Sequence, residues 1–262
     1  MAASLLRGNA YVSGAASGIG RATAFALARH GANGLALSDL NGQTLENTGQ
    51  EIQKEHPNVK VVCYILDVSN EESVVHVMSR VFKDFGRLTY AINNAGIQGG
   101  IKPTVLVEAN IFQKALDVNL VGLWISQREQ LKHMLTQELV DEGDHSKIRG
   151  VIVNTASMAG LIAGENVTPY IASKHGVVGA TKGDAATYAK DGIRINCVCP
   201  GFIKTPMMPY DDATLSTIAQ MVPMKRIAAP EEVASAIIFL ASPLSSYLSG
   251  VALPIDGGFT TV

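Results

Sequence analysis

Short apolar runs alternate with helix-length amphipathic segments from one end of this 262-residue chain to the other. That alternation constrains the fold more than any single motif does. Residues 9–13, 34–38, 60–66, 88–93, 151–155, 194–199 and 251–255 read as strands. Between them, 19–30, 42–54, 71–85, 110–139, the stretch around 170–189 and 230–240 carry helical spacing of apolar residues. A strand–helix–strand unit closes as a right-handed crossover, which makes the strands parallel and lays helices over both faces of the sheet. The expected fold class is therefore α/β, a doubly wound parallel sheet. A hydrophobic content of 47% is enough for the large core such a sheet needs. No linker, repeat or low-complexity tract interrupts the pattern, so one domain over residues 1–262 is expected, with the charged segment 140–147 as a surface loop.

A formal net charge of −2 gives no basic bias toward nucleic acid or an anionic membrane surface. The three cysteines, Cys63, Cys197 and Cys199, are odd in number and form no Cys-x-x-Cys. They read as free thiols in a reducing compartment. The N-terminal residues lack the pattern of a secretory signal, and no apolar run reaches the ~18 residues of a membrane span. The expectation is a soluble, cytoplasmic protein.

The first strand runs into Gly14-Ala-Ala-Ser-Gly18-Ile-Gly20, which opens a helix. Glycines there allow a tight turn and close approach of backbone to a pyrophosphate, and the helix N-terminus offers unpaired N–H groups. Gly14, Ser17, Gly18, Ile19 and Gly20 are thus candidate dinucleotide contacts of a Rossmann-like domain. Asp39 closes the second strand, where a carboxylate can accept hydrogen bonds from ribose hydroxyls. Its neighbours Leu40 and Asn41, like Ser17, are neutral, so nothing compensates a 2′-phosphate and NAD is favoured over NADP. Capping of the next helix is the alternative role for Asp39. Asp67 and Val68 end the third strand, where a carboxylate can reach an adenine amino group or cap a helix. Asn94, Ala95 and Gly96 end the fourth, where small residues let the chain pass close to a ligand.

Tyr170 and Lys174 stand one helical turn apart on one face. An ammonium group nearby favours the phenolate and lowers the tyrosine pKa from about 10. Ser157 ends the apolar run 150–156, so a strand-end hydroxyl would face a helix carrying tyrosine and lysine. That combination suits proton transfer to an alcohol or ketone.

With the glycine turn, Asn93-Asn94-Ala95-Gly96, Asn119 in Asp-Val-Asn-Leu, Ser157, Tyr170-x-x-x-Lys174 and Pro200-Gly201 in this order, the chain resembles a short-chain dehydrogenase/reductase of the single-domain subgroup. Ser13 stands where that family usually has threonine, and Thr155-Ala156 where a second serine is common. The resemblance implies Tyr170 as acid/base, with Lys174 tuning it and holding the nicotinamide ribose. It implies Ser157 as donor to the substrate oxygen, and Asn119 as a helix kink supporting a water to Lys174. It also implies Pro200, Gly201, Ile203 and Thr205 at the nicotinamide, a substrate lid over 202–224 and a homotetramer built partly on the C-terminal segment.

The six histidines show no ligand spacing, and Ser126 and Ser173 lack a nucleophile elbow. Tyr188 and Tyr247 have no lysine four residues on and read as packing or surface residues. The methionines of 202–224 suit an apolar lid, hence an apolar alcohol or ketone substrate. Two function classes stand: an NAD-dependent oxidoreductase, and a dinucleotide-binding sensor or scaffold on the same fold. Retention of Asn119, Ser157, Tyr170 and Lys174 together favours the first.

Overall fold

The structure, a computed structural model, describes residues 4–141, 147–208 and 210–261. The first half runs β1 (Asn9–Ser13), α1 (Gly18–Arg29), β2 (Gly34–Asp39), α2 (Gly42–Glu55), β3 (Lys60–Ile65), α3 (Glu71–Phe85) and β4 (Tyr90–Asn93). Then come α4 (Ala109–Leu116), α5 (Gly122–Thr136), β5 (Val140–Asp141), β6 (Lys147–Ile148) and β7 (Gly150–Thr155). The chain ends with α6 (Thr168–Tyr188), β8 (Ile193–Pro200), α7 (Asp212–Met221), α8 (Pro230–Ala241) and β9 (Ala252–Ile255).

Seven strands form one parallel sheet in the order β3-β2-β1-β4-β7-β8-β9. The order steps outward in opposite directions from β1 and β4. Beyond their carboxyl ends such a sheet leaves a crevice for a ligand. Successive strand residues point to opposite faces, so Ala10 and Val12 enter a core shared with α1, α2 and α8, and Tyr11 enters one shared with α3, α5 and α6. The expected doubly wound, Rossmann-like sheet with helices on both faces is the observed architecture.

Three local readings differ from the structure. The single helix expected over 110–139 is split by a π-helical turn, Asp117–Val121, between α4 and α5. Such a turn inserts a residue into the helix and frequently sits at functional sites; here it carries the buried Asn119. The surface loop expected over 140–147 begins and ends in the antiparallel pair β5–β6; residues 142–146 of it lie outside the described residues. In the segment 202–224, α7 forms with Asp211 as its cap, the carboxylate accepting from the Thr214 N–H at 2.8 Å.

A chain of buried amides ties the middle of the sheet to the helices. Asn93 Nδ2 donates to Gln130 Oε1 and to Asn154 Oδ1, both at 3.0 Å, and Gln130 returns a bond to Asn93 Oδ1 at 2.9 Å. Asn154 Nδ2 donates to Gln127 Oε1 at 2.7 Å and to Thr181 Oγ1 at 3.0 Å, and Gln127 donates to Asp184 at 2.6 Å. Every amide in the chain is paired, which is what makes a buried polar network tolerable. Together these bonds fix β4 and β7 against α5 and α6.

Arg194 performs a similar task on the other side. Its buried guanidinium donates to the Leu240 carbonyl at 2.9 Å, to the Ser242 carbonyl at 3.1 Å and to Ser245 Oγ at 3.1 Å, closing the C-terminal end of α8. Arg194→Met should remove the charged donor that those carbonyls share with Ser245 and destabilise the protein by about 3 kcal/mol, read as a lower denaturant midpoint at unchanged slope.

Candidate active site

The C-terminal ends of β1, β2, β4, β7 and β8 open on one cleft of about 770 Å³. At one end of it the turn from β1 into α1 brings Gly14, Ser17, Gly18 and Ile19 to the surface of the cleft. Gly20 lies behind them, where a Cβ would overlap the Gly14 carbonyl, so no side chain is tolerated. The Ser17 side chain makes no capping bond, which leaves the first N–H groups of α1 facing the cleft. An open helix N-terminus over a cradle that only glycine fits is the donor set an anionic pyrophosphate requires, so the residues present fit a dinucleotide.

Asp39 lines the same end. Its Oδ2 accepts from the Ala16 N–H at 3.0 Å and its Oδ1 from the Asn41 N–H at 2.9 Å, so the carboxylate is held between β2 and the glycine turn. It does not cap α2; Asn41 does, accepting from the Thr44 N–H at 3.1 Å. The nearby Arg21 is engaged with Glu51 and lies over the Phe25 ring at 4.7 Å. Asp67 and Val68 line the cleft next to Asp39, with Asp67 accepting from the Ser69 N–H at 2.9 Å while Asn70 caps α3. The capping alternatives for both acids are thus not the arrangement found.

Ser13 joins the site unannounced by any sequence pattern beyond its place before Gly14. Its Oγ accepts from the N–H groups of Asn94 at 3.0 Å and Ala95 at 3.2 Å, drawing the end of β4 onto the end of β1. Thr155 Oγ1 donates to Asn94 Oδ1 at 3.2 Å from the other side. Asn94, Ala95 and Gly96 therefore form the floor of the cleft between its two ends.

The other end of the cleft is built on β7 and α6. Ser157, just past β7, accepts from the Ala159 N–H at 3.1 Å and faces Tyr170 on the first turns of α6. Lys174 follows one turn later, buried to 3% exposure. Its Nζ donates to the Thr155 carbonyl at 2.8 Å and stands 5.5 Å from the centre of the Tyr170 ring. Asn119 is not a wall of the cleft. It clamps Ile97, accepting from its N–H and donating to its carbonyl at 2.8 Å each, and donates to Ser173 Oγ at 3.1 Å. Ser173 in turn donates to the Tyr170 carbonyl at 2.7 Å. The π-helical turn, the loop after β4 and the tyrosine turn of α6 are thereby one hydrogen-bonded unit.

One expectation is corrected by these positions. Lys174 was expected to draw the Tyr170 pKa down, but burial pushes the phenol above its ordinary value, with a hydrogen bond to Ser157 pulling the other way. The Lys174 ammonium itself is lowered to about 8 by burial, against the opposing pull of Cys199 and Cys197. In the protein alone, desolvation sets the direction of the Tyr170 shift.

Pro200, Gly201, Ile203 and Thr205 all line the cleft beyond β8. Of the expected lid, Pro206, Met207, Met208 and Tyr210 line it, whereas Met221 and Met224 are exposed and face elsewhere; Pro209 lies outside the described residues. Tyr188 packs at the edge of a core and Tyr247 is fully exposed. The sequence reading names Ser13, Thr155 and Ser173 without giving them a part in the site, and it does not name the walls Gln98, Ile101, Lys114 and Glu165.

Residues 14–260 match the family model described as enoyl-(acyl carrier protein) reductase. The chain is 39% identical to short-chain dehydrogenase fogB of Aspergillus ruber, over 97% of each protein. It is 35% identical to cyclohexanol dehydrogenase of an Acinetobacter species, covering 96% of this chain and 94% of that one. The crystal structure of levodione reductase superposes with a TM-score of 0.89 at 35% identity, over 97% of this chain and 98% of that chain. A glycine cradle at one end of the cleft, a serine, tyrosine and lysine at the other, and full-length likeness to these proteins place the chain in the short-chain dehydrogenase/reductase family.

Proposed function

We propose that the protein is an NAD(H)-dependent oxidoreductase that interconverts a secondary alcohol and a ketone, with Tyr170 as the acid/base. The observation that carries this is the meeting of Ser157 and Tyr170 at the end of the cleft opposite the glycine turn, with Lys174 buried behind them. Two hydroxyls directed at one point suit one substrate oxygen, a hydroxyl or a carbonyl. The similarity to cyclohexanol dehydrogenase and levodione reductase supports the same chemistry. A nicotinamide dinucleotide supplies or takes up the hydride when bound. Gly14, Ser17, Gly18, Ile19 and Asp39 would hold its adenosine and pyrophosphate end, with Asp67 and Val68 beside the adenine. Asn94, Ala95, Gly96, Pro200, Gly201, Ile203, Thr205 and Lys174 would hold the other.

The chain's own part is positional and protonic. Tyr170 gives a proton to a ketone oxygen or takes one from an alcohol, and Ser157 holds that oxygen in place. Lys174, fixed on the Thr155 carbonyl, supplies positive potential behind the ring. Asn119 and Ser173 keep the turn bearing Tyr170 in register with the floor of the cleft. The apolar walls Ile101, Val118, Met158, Phe202 and Met207 fit an apolar substrate body. A cytoplasmic homotetramer completes the reading, on the family likeness and the apolar C-terminal strand.

Tyr170→Phe should lower kcat by about 10²–10⁴-fold while NADH affinity, measured by fluorescence titration, stays within about threefold. Turnover of an identified substrate at the wild-type rate would remove Tyr170 from its role.

Asp39 favours NAD, because a fixed carboxylate repels a 2′-phosphate and Arg21 is engaged with Glu51. Steady-state kinetics with both cofactors should give the higher kcat/KM with NAD(H), and Asp39→Ala should narrow that preference by about tenfold. A wild-type preference for NADP(H) would overturn the assignment.

Lys174 gives a prediction about stability. Below pH 8 it is charged in both the folded and unfolded states, and the fold bears the cost of burying that charge. Between about 8 and its ordinary 10.5 the folded state has shed the proton while the unfolded chain keeps it, so stability climbs with pH. Relative to Lys174→Met, the wild type should gain about 3 kcal/mol between pH 7 and pH 11 in paired denaturant titrations. A difference independent of pH would show that the lysine is not desolvated.

A further inference from the structure

A smaller cavity of about 240 Å³ lies against the main cleft, and the two share Ile97 and Lys114 as a common wall. It forms where the segment after β4 folds over α4. Gly99 and Gly100 both take positive φ, +77° and +85°, which turns the chain back toward the helix. A Cβ on Gly99 would stand 2.9 Å from the Ala115 Cβ and 4.0 Å from the Tyr170 nitrogen. The segment is tied to the loop before α6 by the Lys102 N–H donating to the Asn166 carbonyl at 2.8 Å, and by the Thr104 and Thr168 hydroxyls at 3.0 Å. The side cavity is thus a neighbour of the turn that carries Tyr170.

Val107 and Ile111 give this cavity apolar walls, and its charges are unequal. Lys102 and Glu108 pair at 3.6 Å and offset one another. Lys114 has no ion-pair or hydrogen-bond partner among the described residues. The backbone N–H groups of Gly99 and Gly100 also find no acceptor among those residues. Glu165, an unpaired acid of the main cleft, does not line the side cavity. What remains is one unpaired cation on the wall between the side cavity and the cleft that holds the reacting groups, and two unpaired donors lining the side cavity.

We propose that the side cavity is the subsite for a carboxylate at the end of the substrate remote from its reacting carbon, with Lys114 reading its charge and the Gly99–Gly100 amides donating to its oxygens. This rests on the alcohol–ketone reading of the main cleft. It narrows the substrate class to hydroxy or oxo acids in which an apolar spacer separates the carboxylate from the reacting carbon. Ammonium-to-carboxylate hydrogen bonds are stronger than neutral ones.

Titration calorimetry on the full chain with cyclohexanecarboxylate, and with cyclohexanecarboxamide as its neutral counterpart, tests the subsite without turnover. The carboxylate should bind about tenfold tighter at low salt, and the margin should shrink as salt is raised. Lys114→Met should abolish the margin and Lys114→Arg should keep it; Lys114 is exposed, so neither change should alter the melting temperature. Equal affinities in the wild type, failure of both compounds to bind, or a margin that survives Lys114→Met would each overturn the proposal. Reduction of cyclohexanone and of 4-oxocyclohexanecarboxylate separates the two readings. Equal turnover of both ketones, unchanged by Lys114→Met, removes the subsite and leaves the oxidoreductase. Turnover of neither counts against the oxidoreductase, and the calorimetric margin still decides the subsite.

Discussion

A lysine ammonium held out of water at the end of a strand is the constraint around which one end of the cleft is arranged. Lys174 is almost wholly buried, and its acceptor is the backbone carbonyl of Thr155. Burying such a charge costs several kcal/mol, and a neutral carbonyl returns only part of that. The position is held because everything near it is held: β7 places the carbonyl, α6 places the lysine, and Ser157 and Tyr170 are fixed by the same two elements. A site that keeps a reluctant charge in place has built in the means to influence whatever proton sits next to it. While the site holds only protein, burial sets the direction in which the Tyr170 phenol is moved.

The interruption between α4 and α5 serves the same end from the opposite wall. A regular helix over 109–136 would not leave Asn119 turned inward with its amide on both backbone groups of Ile97. The π-helical turn supplies the extra residue that makes this possible, and Ser173 carries the connection on to the backbone of Tyr170. Loss of helical regularity in one turn gives three separate pieces of chain a common reference point.

Much of this was legible in the sequence because the features involved are periodic or local. Alternating apolar runs declared the strands, and glycine spacing declared the turn after β1. The four residues from Tyr170 to Lys174 declared a helical face. What escaped was the part set by tertiary contact. The string marks Ser13 and Thr155 only by their neighbours and does not show what they bind, since their importance comes from strands that meet only after folding. The break at Asp117–Val121 is hidden for the same reason, because Asp-Val-Asn-Leu-Val is compatible with an ordinary helix until Ile97 is placed beside it. The raised Tyr170 pKa escaped because spacing reports a neighbouring charge but not the removal of water.

The paired amides between sheet and helices have a consequence of a different kind. Asn93, Gln127, Gln130 and Asn154 neither gain nor lose protons at any pH a cell experiences, and their hydrogen bonds to one another look the same to acid as to base. Carboxylates or histidines in those positions would have made the alignment of β4 and β7 itself a titrating quantity. With amides, the pairing of β4 with β7 does not respond to the proton concentration that governs the Tyr170 phenol and the Lys174 ammonium at its edge.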